Sequence, residues 1–255
     1  MAAKPARRWA AGWLSLLLCA GPAVAQTEPM PVLRFIVGQD WAPPYLTLHD
    51  GKPAGGLAFD LMERVARAAG ARPEYLMLPP KRTQAALHAG QADLMCMMAP
   101  KWVAAPMSPA RIGPPMVVLE DVLAVPPGSA VAKPLDLPAQ RGLHVGTVLG
   151  YHYPELAPLF DAGHLVRDDA ATQEGVLEKL ARGRTPVAVV DRLVLAQHNR
   201  GLPPGEALQA VQVVTQTVTH CLLGGTTRIP AARLQQALQV VAERSELARL
   251  LQRYR

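Results

Sequence analysis

The sequence predicts an α/β chain of two lobes. Each lobe is a mostly parallel sheet flanked by helices, and two hinge crossings join them. Three observations predict it: a βαβαβ alternation over residues 32–98, a proline-rich interruption between about 99 and 138, and a second alternating series from 143 onward. At 255 residues the chain can supply two lobes with a core each. Half the residues are hydrophobic and 18% are charged, which excludes a disordered chain, a collagen, a coiled coil and a disulfide-dense miniprotein.

The elements follow from apolar periodicity and its punctuation. Val32 to Val37 is a β-type run ending at Gly38. Leu57, Leu61, Val65 and Ala69 recur at i+4, so 57–69 reads as a helix that Gly70 ends. Tyr75 to Leu78 is a strand stopped by Pro79-Pro80, Arg82 to Ala89 a short helix closed by Gly90, and Asp93 to Met98 another strand. After the prolines, with an extended run over 116–125 among them, Leu143 to Val148 opens the second series. Leu165-Val166 is extended, Gln173 to Arg182 helical, and Val187 to Val190 a buried strand ending in Asp191. Extended runs at 211–214 and 218–223 lead to two closing helices, one with Pro230 at its first position and one over 246–254. The expected lobes are 31–116 plus 223–255, and 117–222.

The first 25 residues read as an export signal. Lys4, Arg7 and Arg8 form a positive start, Trp9 to Ala20 an apolar stretch, and Ala23-Val24-Ala25 the small residues a signal peptidase reads. The apolar stretch is shorter than the roughly 18–20 residues a membrane span needs. Leu18 stands where a lipoprotein signal before Cys19 wants a small residue, so cleavage after Ala25 is expected. The mature chain then begins near Gln26, soluble outside the inner membrane.

Those three positive residues account for half of the formal charge of +6; elsewhere the balance is 23 Lys+Arg against 20 Asp+Glu. That is too even for a nucleic-acid partner, and there is no basic run to track phosphates. Cys96 and Cys221 remain after the signal. Both lie in apolar, strand-like runs and are open to two readings, one disulfide or two buried thiols.

Several stretches carry a family resemblance. Leu33 to Tyr45, with Trp41-Ala42-Pro43-Pro44-Tyr45 after the strand, resembles the opening strand and Pro-Pro-aromatic loop of the bacterial periplasmic solute-binding proteins of the family-3 type, the receptors of amino-acid ABC importers. Gly51-Lys52, Gly56 and Phe59-Asp60-Leu61 resemble that family's approach to its first helix. Ala86-Leu87-His88-Ala89-Gly90-Gln91-Ala92-Asp93-Leu94 resembles its "A-L-x-x-G-x-x-D" turn. Leu135-Asp136-Leu137, Gly142, His144-Val145-Gly146 and Gly150 resemble the start of its second lobe, Val187 to Asp191 a later strand, and Ser245 to Tyr254 its closing helix. The resemblance covers most of 31–255. It implies a periplasmic-binding-protein-like fold, a monomer with a small-molecule ligand in the inter-lobe cleft, and an inner-membrane ABC permease as partner.

In such a fold ligands meet the carboxyl ends of strands, and the candidates follow from that rule. Asp40, Trp41 and Tyr45 lie in the loop after the first strand, where the aromatics would wall a pocket or hold the loop down. Met98 ends the strand over 93–98. Gly150, Tyr151 and His152 follow a strand in the second lobe, where the family has small hydroxyl residues. Asp191 would bind a ligand amine, the role the resemblance implies for it, or cap the helix from Leu193, or both. The family's "T-P-E-R"-like turn, whose Arg grips an α-carboxylate, reads Ala99-Pro100-Lys101-Trp102 here. Its Arg is missing, with Lys101, Arg82 and Arg111 as the substitutes on offer. Trp102, Trp41, Tyr45 and Tyr151 with Asp191 would suit an organic amine through cation–π contacts. Met95-Cys96-Met97-Met98 has soft ligands, but alternation along a strand puts only Cys96 with Met98, or Met95 with Met97, on one face. No metal or cofactor is expected, and no motif of a hydrolase, zinc protease or P-loop enzyme occurs. The expected function is capture of a small polar or amine-bearing solute, not catalysis. A periplasmic dehydratase on the same fold and a sensor module without transport are the alternatives.

Overall fold

Phe35, Ile36 and Val37 show no polar side chain on either face, and β1 (Val32–Gly38) accordingly lies inside a sheet. The computed structural model that shows this describes residues 1–2, 29–103, 107–131, 134–203, 205–243 and 245–254, so the expected export signal lies outside the described residues save Met1 and Ala2. β1 pairs in parallel with β4 (Arg72–Leu78) on one side and β5 (Leu94–Met98) on the other. A small antiparallel hairpin, β2 (Thr47–His49) and β3 (Lys52–Gly55), stands apart. The Asp of the 86–94 turn holds the sheet's near end together. Asp93 accepts from the Arg34 guanidinium at 3.1 Å through both oxygens and from the Arg34 and Arg228 backbone N–H groups. Burial would raise the Asp93 carboxyl, but these donors hold it below the usual carboxylate range.

α1 (Leu57–Ala68) buries Leu57, Ala58, Leu61, Met62, Val65 and Ala66, the face that its i+4 spacing predicts. Each large side chain on that face contributes about 1.5–3 kcal/mol by leaving water. α2 (Pro80–His88) starts on a proline and turns Thr83, Ala86 and Leu87 inward.

The second sheet has five strands. β6 (Val118–Val125) runs antiparallel to β9 (Val187–Asp191), which runs parallel to β7 (Leu143–Val148), and β8 (Leu165–Ala170) follows in parallel. β10 (Gln209–Val218) closes the far edge antiparallel to β6. This sheet is therefore half antiparallel, less parallel than the alternation suggests, because the outgoing and returning hinge strands are both built into it. Its helices are α3 (Ala157–Asp161), α4 (Gln173–Ala181) and α5 (Arg192–Asn199). β8 is three times as long as its two apolar residues imply. Its remaining residues are Arg167, Asp168, Asp169 and Ala170 on an edge strand, where ladder bonds hold the backbone without an apolar face.

The chain crosses between sheets twice. The two crossings bond to each other: Met116 N–H donates to the Thr219 carbonyl (2.8 Å), while Thr219 N–H and Oγ1 donate to the Val117 carbonyl (2.7 and 2.8 Å). β11 (His220–Leu223) then pairs antiparallel with β5, so His220 to Leu222 belong to the first sheet, three residues ahead of the expected return at 223. α6 (Ala231–Glu243) and α7 (Ser245–Gln252) pack back on α1, and Asp60 accepts from Arg253 (2.7 Å) and Tyr254 (3.1 Å) beyond them.

The Met-Cys-Met-Met run departs from strand alternation. Met97 has φ 58°, and the β5–β11 ladder slips between His220 and Leu222, a bulge that adds one residue to β5. Cys96 faces β11 and forms a disulfide with Cys221, which settles the two readings of these cysteines.

Candidate functional site

A cavity of about 130 Å³ lies between the two sheets, where the carboxyl ends of β1, β5, β7 and β9 converge. From the first lobe, the loop after β1 supplies Asp40, Trp41 and Tyr45. Gly38 is needed there because a Cβ would stand 2.5 Å from Asp40 Oδ1 and 2.7 Å from Trp41 Nε1, so the loop could not fold back over the strand end. The β5 bulge turns Met95, Met97 and Met98 all onto the cavity, which overturns the expected separation of Met95 and Met97 from Met98. α2 brings Pro80, Thr83 and Gln84, and the Gln84 amide donates to the Trp102 carbonyl at 2.9 Å, fixing that indole's backbone at the rim.

From the second lobe come Gly150, Tyr151, His152 and Tyr153 after β7, Asp121 from β6, Gln173 from α4, and Asp191 from β9. Arg167 holds the loop after β7 from behind, donating to the Val148 and Tyr151 carbonyls at 2.9 and 3.1 Å, with its guanidinium 5.3 Å from the Tyr153 ring centre. Gly150 (φ 87°) faces the other lobe: a Cβ there would meet Lys81 Cγ at 3.0 Å and Pro80 Cβ at 3.4 Å.

Among the described residues Tyr45, Tyr151 and Lys101 make polar contacts that close the lobes on each other. The Tyr45 hydroxyl donates to Asp191 Oδ1 at 2.8 Å. The Tyr151 hydroxyl donates to Asp40 Oδ2. At the rim Lys101 pairs with Glu155, which also accepts from Thr215 at 3.1 Å. Burial first, then the neighbouring carboxylate, pushes both tyrosines well above their ordinary pKa and keeps them neutral donors.

Asp191 does two things at once. Its Oδ1 caps α5, accepting from Leu193 N–H (2.8 Å) and Val194 N–H (3.3 Å), while Oδ2 is buried with no hydrogen-bond partner among the described residues. Burial raises the Asp191 and Asp40 carboxyls, against the opposing pull of their tyrosine partners. Asp121 stands directly opposite Asp191 across the β6–β9 ladder. Burial, then the charges of Asp191 and Glu155, push it up to about 7.

Of the ten sequence candidates, eight line the cavity. Arg82 does not: it is exposed on α2, next to the inward Thr83. Nor does Lys101, whose ammonium serves the rim pair. Asp121, Tyr153, Gln173 and Thr83 line the cavity and escaped the sequence reading. Asp121 sits beside Glu120 inside an otherwise apolar run, a signal that could have marked it.

The rim pair gives a first expectation. With both side chains 36% exposed it contributes about 0.2–1 kcal/mol to closure. Lys101→Met should weaken ligand binding by no more than about fivefold and enlarge the unliganded radius of gyration in small-angle scattering. A hundredfold loss would mean Lys101 touches ligand.

No protein-family profile matches the sequence, and no curated protein is similar to it. Solved structures are similar in fold. An ancestral arginine-binding protein bound to arginine matches with a TM-score of 0.67 at 16% identity, covering 88% of this chain and 97% of that one. The ancestral amino acid-binding protein AncCDT-1, a precursor of cyclohexadienyl dehydratase, matches at 0.67 and 16%, covering 88% and 94%. The periplasmic VFT2 domain of Bordetella pertussis BvgS matches at 0.65 and 18%, covering 89% and 94%. With two sheets, two crossings and a cavity at the facing strand ends, this chain has the two-lobe periplasmic-binding-protein fold.

Proposed function

We propose that the protein is a solute-binding protein that closes over a small amine-bearing molecule in the inter-lobe cavity. One observation carries this reading: Asp191, whose Oδ2 is buried with no hydrogen-bond partner among the described residues, is one of the residues lining a cavity that both lobes wall with aromatic rings. A carboxylate so placed is stabilised by a charged N–H donor from a ligand. The arginine-binding and amino-acid-binding proteins that share the fold support the ligand's general class.

The compartment we infer is the periplasm, after cleavage behind Ala25. The Cys96–Cys221 disulfide supports an oxidising compartment, and among the described residues no helix is long and apolar enough to cross a membrane. The partner we infer is the permease of an ABC importer, which would read the closed shape. The dehydratase reading would need Asp121 as its acid, and turnover of candidate substrates by purified protein tests it.

Native mass spectrometry of protein purified without dialysis should reveal a small-molecule adduct. Trp41→Ala, which removes one wall, should lose it. An adduct retained at full occupancy by Trp41→Ala would place the solute elsewhere.

A further inference from the structure

We propose that the cavity selects a small organic cation that carries no carboxylate, with the Asp121–Asp191 pair as its counter-ion. This rests on the cleft-binding reading above and adds the ligand's class to it.

The geometry begins with the strand register. Asp121 and Asp191 are directly opposed on antiparallel strands and both line the cavity. Side chains so opposed have Cβ atoms about 4.5–5.5 Å apart. Asp40 adds a third carboxylate to the same cavity, but the Tyr151 hydroxyl already satisfies one of its oxygens. Tyr45 likewise occupies Asp191 Oδ1. The carboxylate oxygens without a hydrogen-bond partner among the described residues are Asp191 Oδ2, the second oxygen of Asp40 and those of Asp121.

A ligand carboxylate meets no guanidinium or ammonium in the described lining, where His152 is the one basic side chain. Among the described residues that line the cavity there is no Lys or Arg. Of the basic groups around the cavity, Lys101 is engaged by Glu155 and Arg167 by Asp169 and the carbonyls of the loop after β7, while Lys81 packs against Gly150 and His152 is in the lining. The Tyr151 N–H, which could have met an anion at that turn, donates instead to the Val148 carbonyl at 3.1 Å. An anion brought in would lose its hydration beside three acidic side chains and gain no guanidinium or ammonium from the described lining. Trp41, Trp102 and the three methionines of the β5 bulge add aromatic and thioether surface to the wall, beside the polar Thr83, Gln84 and Gln173. Such a wall suits the alkyl groups of an ammonium ion and its diffuse charge. A volume of about 130 Å³ is near that of a cavity that holds benzene, so the cation is of roughly that size.

Two carboxyls this close do not both ionise freely, so the empty pair holds a proton that the cation replaces. The groups facing Asp121 are Asp191 from β9, and Tyr151, His152, Tyr153 and Glu155 from the segment after β7. From the other lobe Asp40, Tyr45 and Lys101 face it. Its neighbour on β6, Glu120, is held by Arg192 and Gln216. With Asp121 pushed up to about 7, the proton is present at pH 6 and largely gone at pH 8. Affinity for a permanently charged amine therefore rises about tenfold across that window.

Calorimetry on the signal-free chain with isopentylamine, leucinamide and leucine tests this. Leucinamide and leucine are nearly isosteric and differ in the carboxylate. We expect isopentylamine and leucinamide to bind and leucine to be weaker by about tenfold or more. Isopentylamine should bind more tightly at pH 8 than at pH 6, with an enthalpy that follows the buffer's ionisation enthalpy as a proton is released. Asp121→Asn should flatten both dependences. Leucine binding as tightly as leucinamide overturns the ligand class and leaves cleft binding standing. Binding that is independent of pH and buffer in the wild type overturns the counter-ion role of the pair. Failure of all three probes overturns the proposal outright, and cleft binding is then judged by the adduct experiment above.

Discussion

Asp191→Asn is expected to weaken binding of a small amine about ten- to a hundredfold while changing Tm little. A charge-assisted hydrogen bond is worth roughly 1.5–3 kcal/mol, which is that range of affinity. The near-neutral stability follows from the second role of the side chain. Asp191 Oδ1 caps α5 through Leu193 and Val194 N–H and accepts from Tyr45. Asn keeps an acceptor oxygen in that place and is as good a cap as Asp. Asp191→Ala separates the two roles, because it removes both. It should cost about 1 kcal/mol of cap energy in addition, or about 2–4 °C in Tm for a chain of this size. Loss of one member of the pair should also lower the Asp121 carboxyl and reduce the pH dependence of binding, while burial, the larger cause, keeps it raised. Calorimetry and thermal melts on the two variants read these effects separately. Full affinity in Asp191→Asn would show that the ligand's charge does not meet this residue.

Reducing the Cys96–Cys221 disulfide, or replacing both residues by Ala, should destabilise the protein by about 2–5 kcal/mol and lower Tm by roughly 10 °C. The two cysteines are 125 residues apart in sequence, and the loop they close contains the whole second sheet with both crossings. In the unfolded chain that closure removes a large set of conformations, and the folded state gains in proportion. Both residues are fully buried, so the bond should resist reductant in the native protein and open on unfolding. Urea melts with and without reductant measure the difference, and coincident curves would contradict it.

Elements whose burial is one-sided and periodic can be read from the chain alone. The i+4 face of α1, the apolar β1 and β9, the glycine stops and the prolines at helix starts are local rules, and each needs only its own neighbours to be read. Asp191 was legible for the same reason, as an acid ending an apolar strand. Strand direction in the second sheet was not, since it depends on where the hinge strands dock. Three further features exist only once distant segments meet. The β5 bulge arises from pairing with β11 more than a hundred residues away, and it turns Met95, Met97 and Met98 to one cavity where alternation along a lone strand would split them. Lys101 reads as a ligand group until Glu155 of the other lobe takes its ammonium. Asp121 carries only the weak local mark of an acid beside Glu120 in an apolar run. Its charge acquires meaning because β6 and β9 pair in a register that sets it against Asp191 in a buried cleft, where neither carboxylate can be solvated alone.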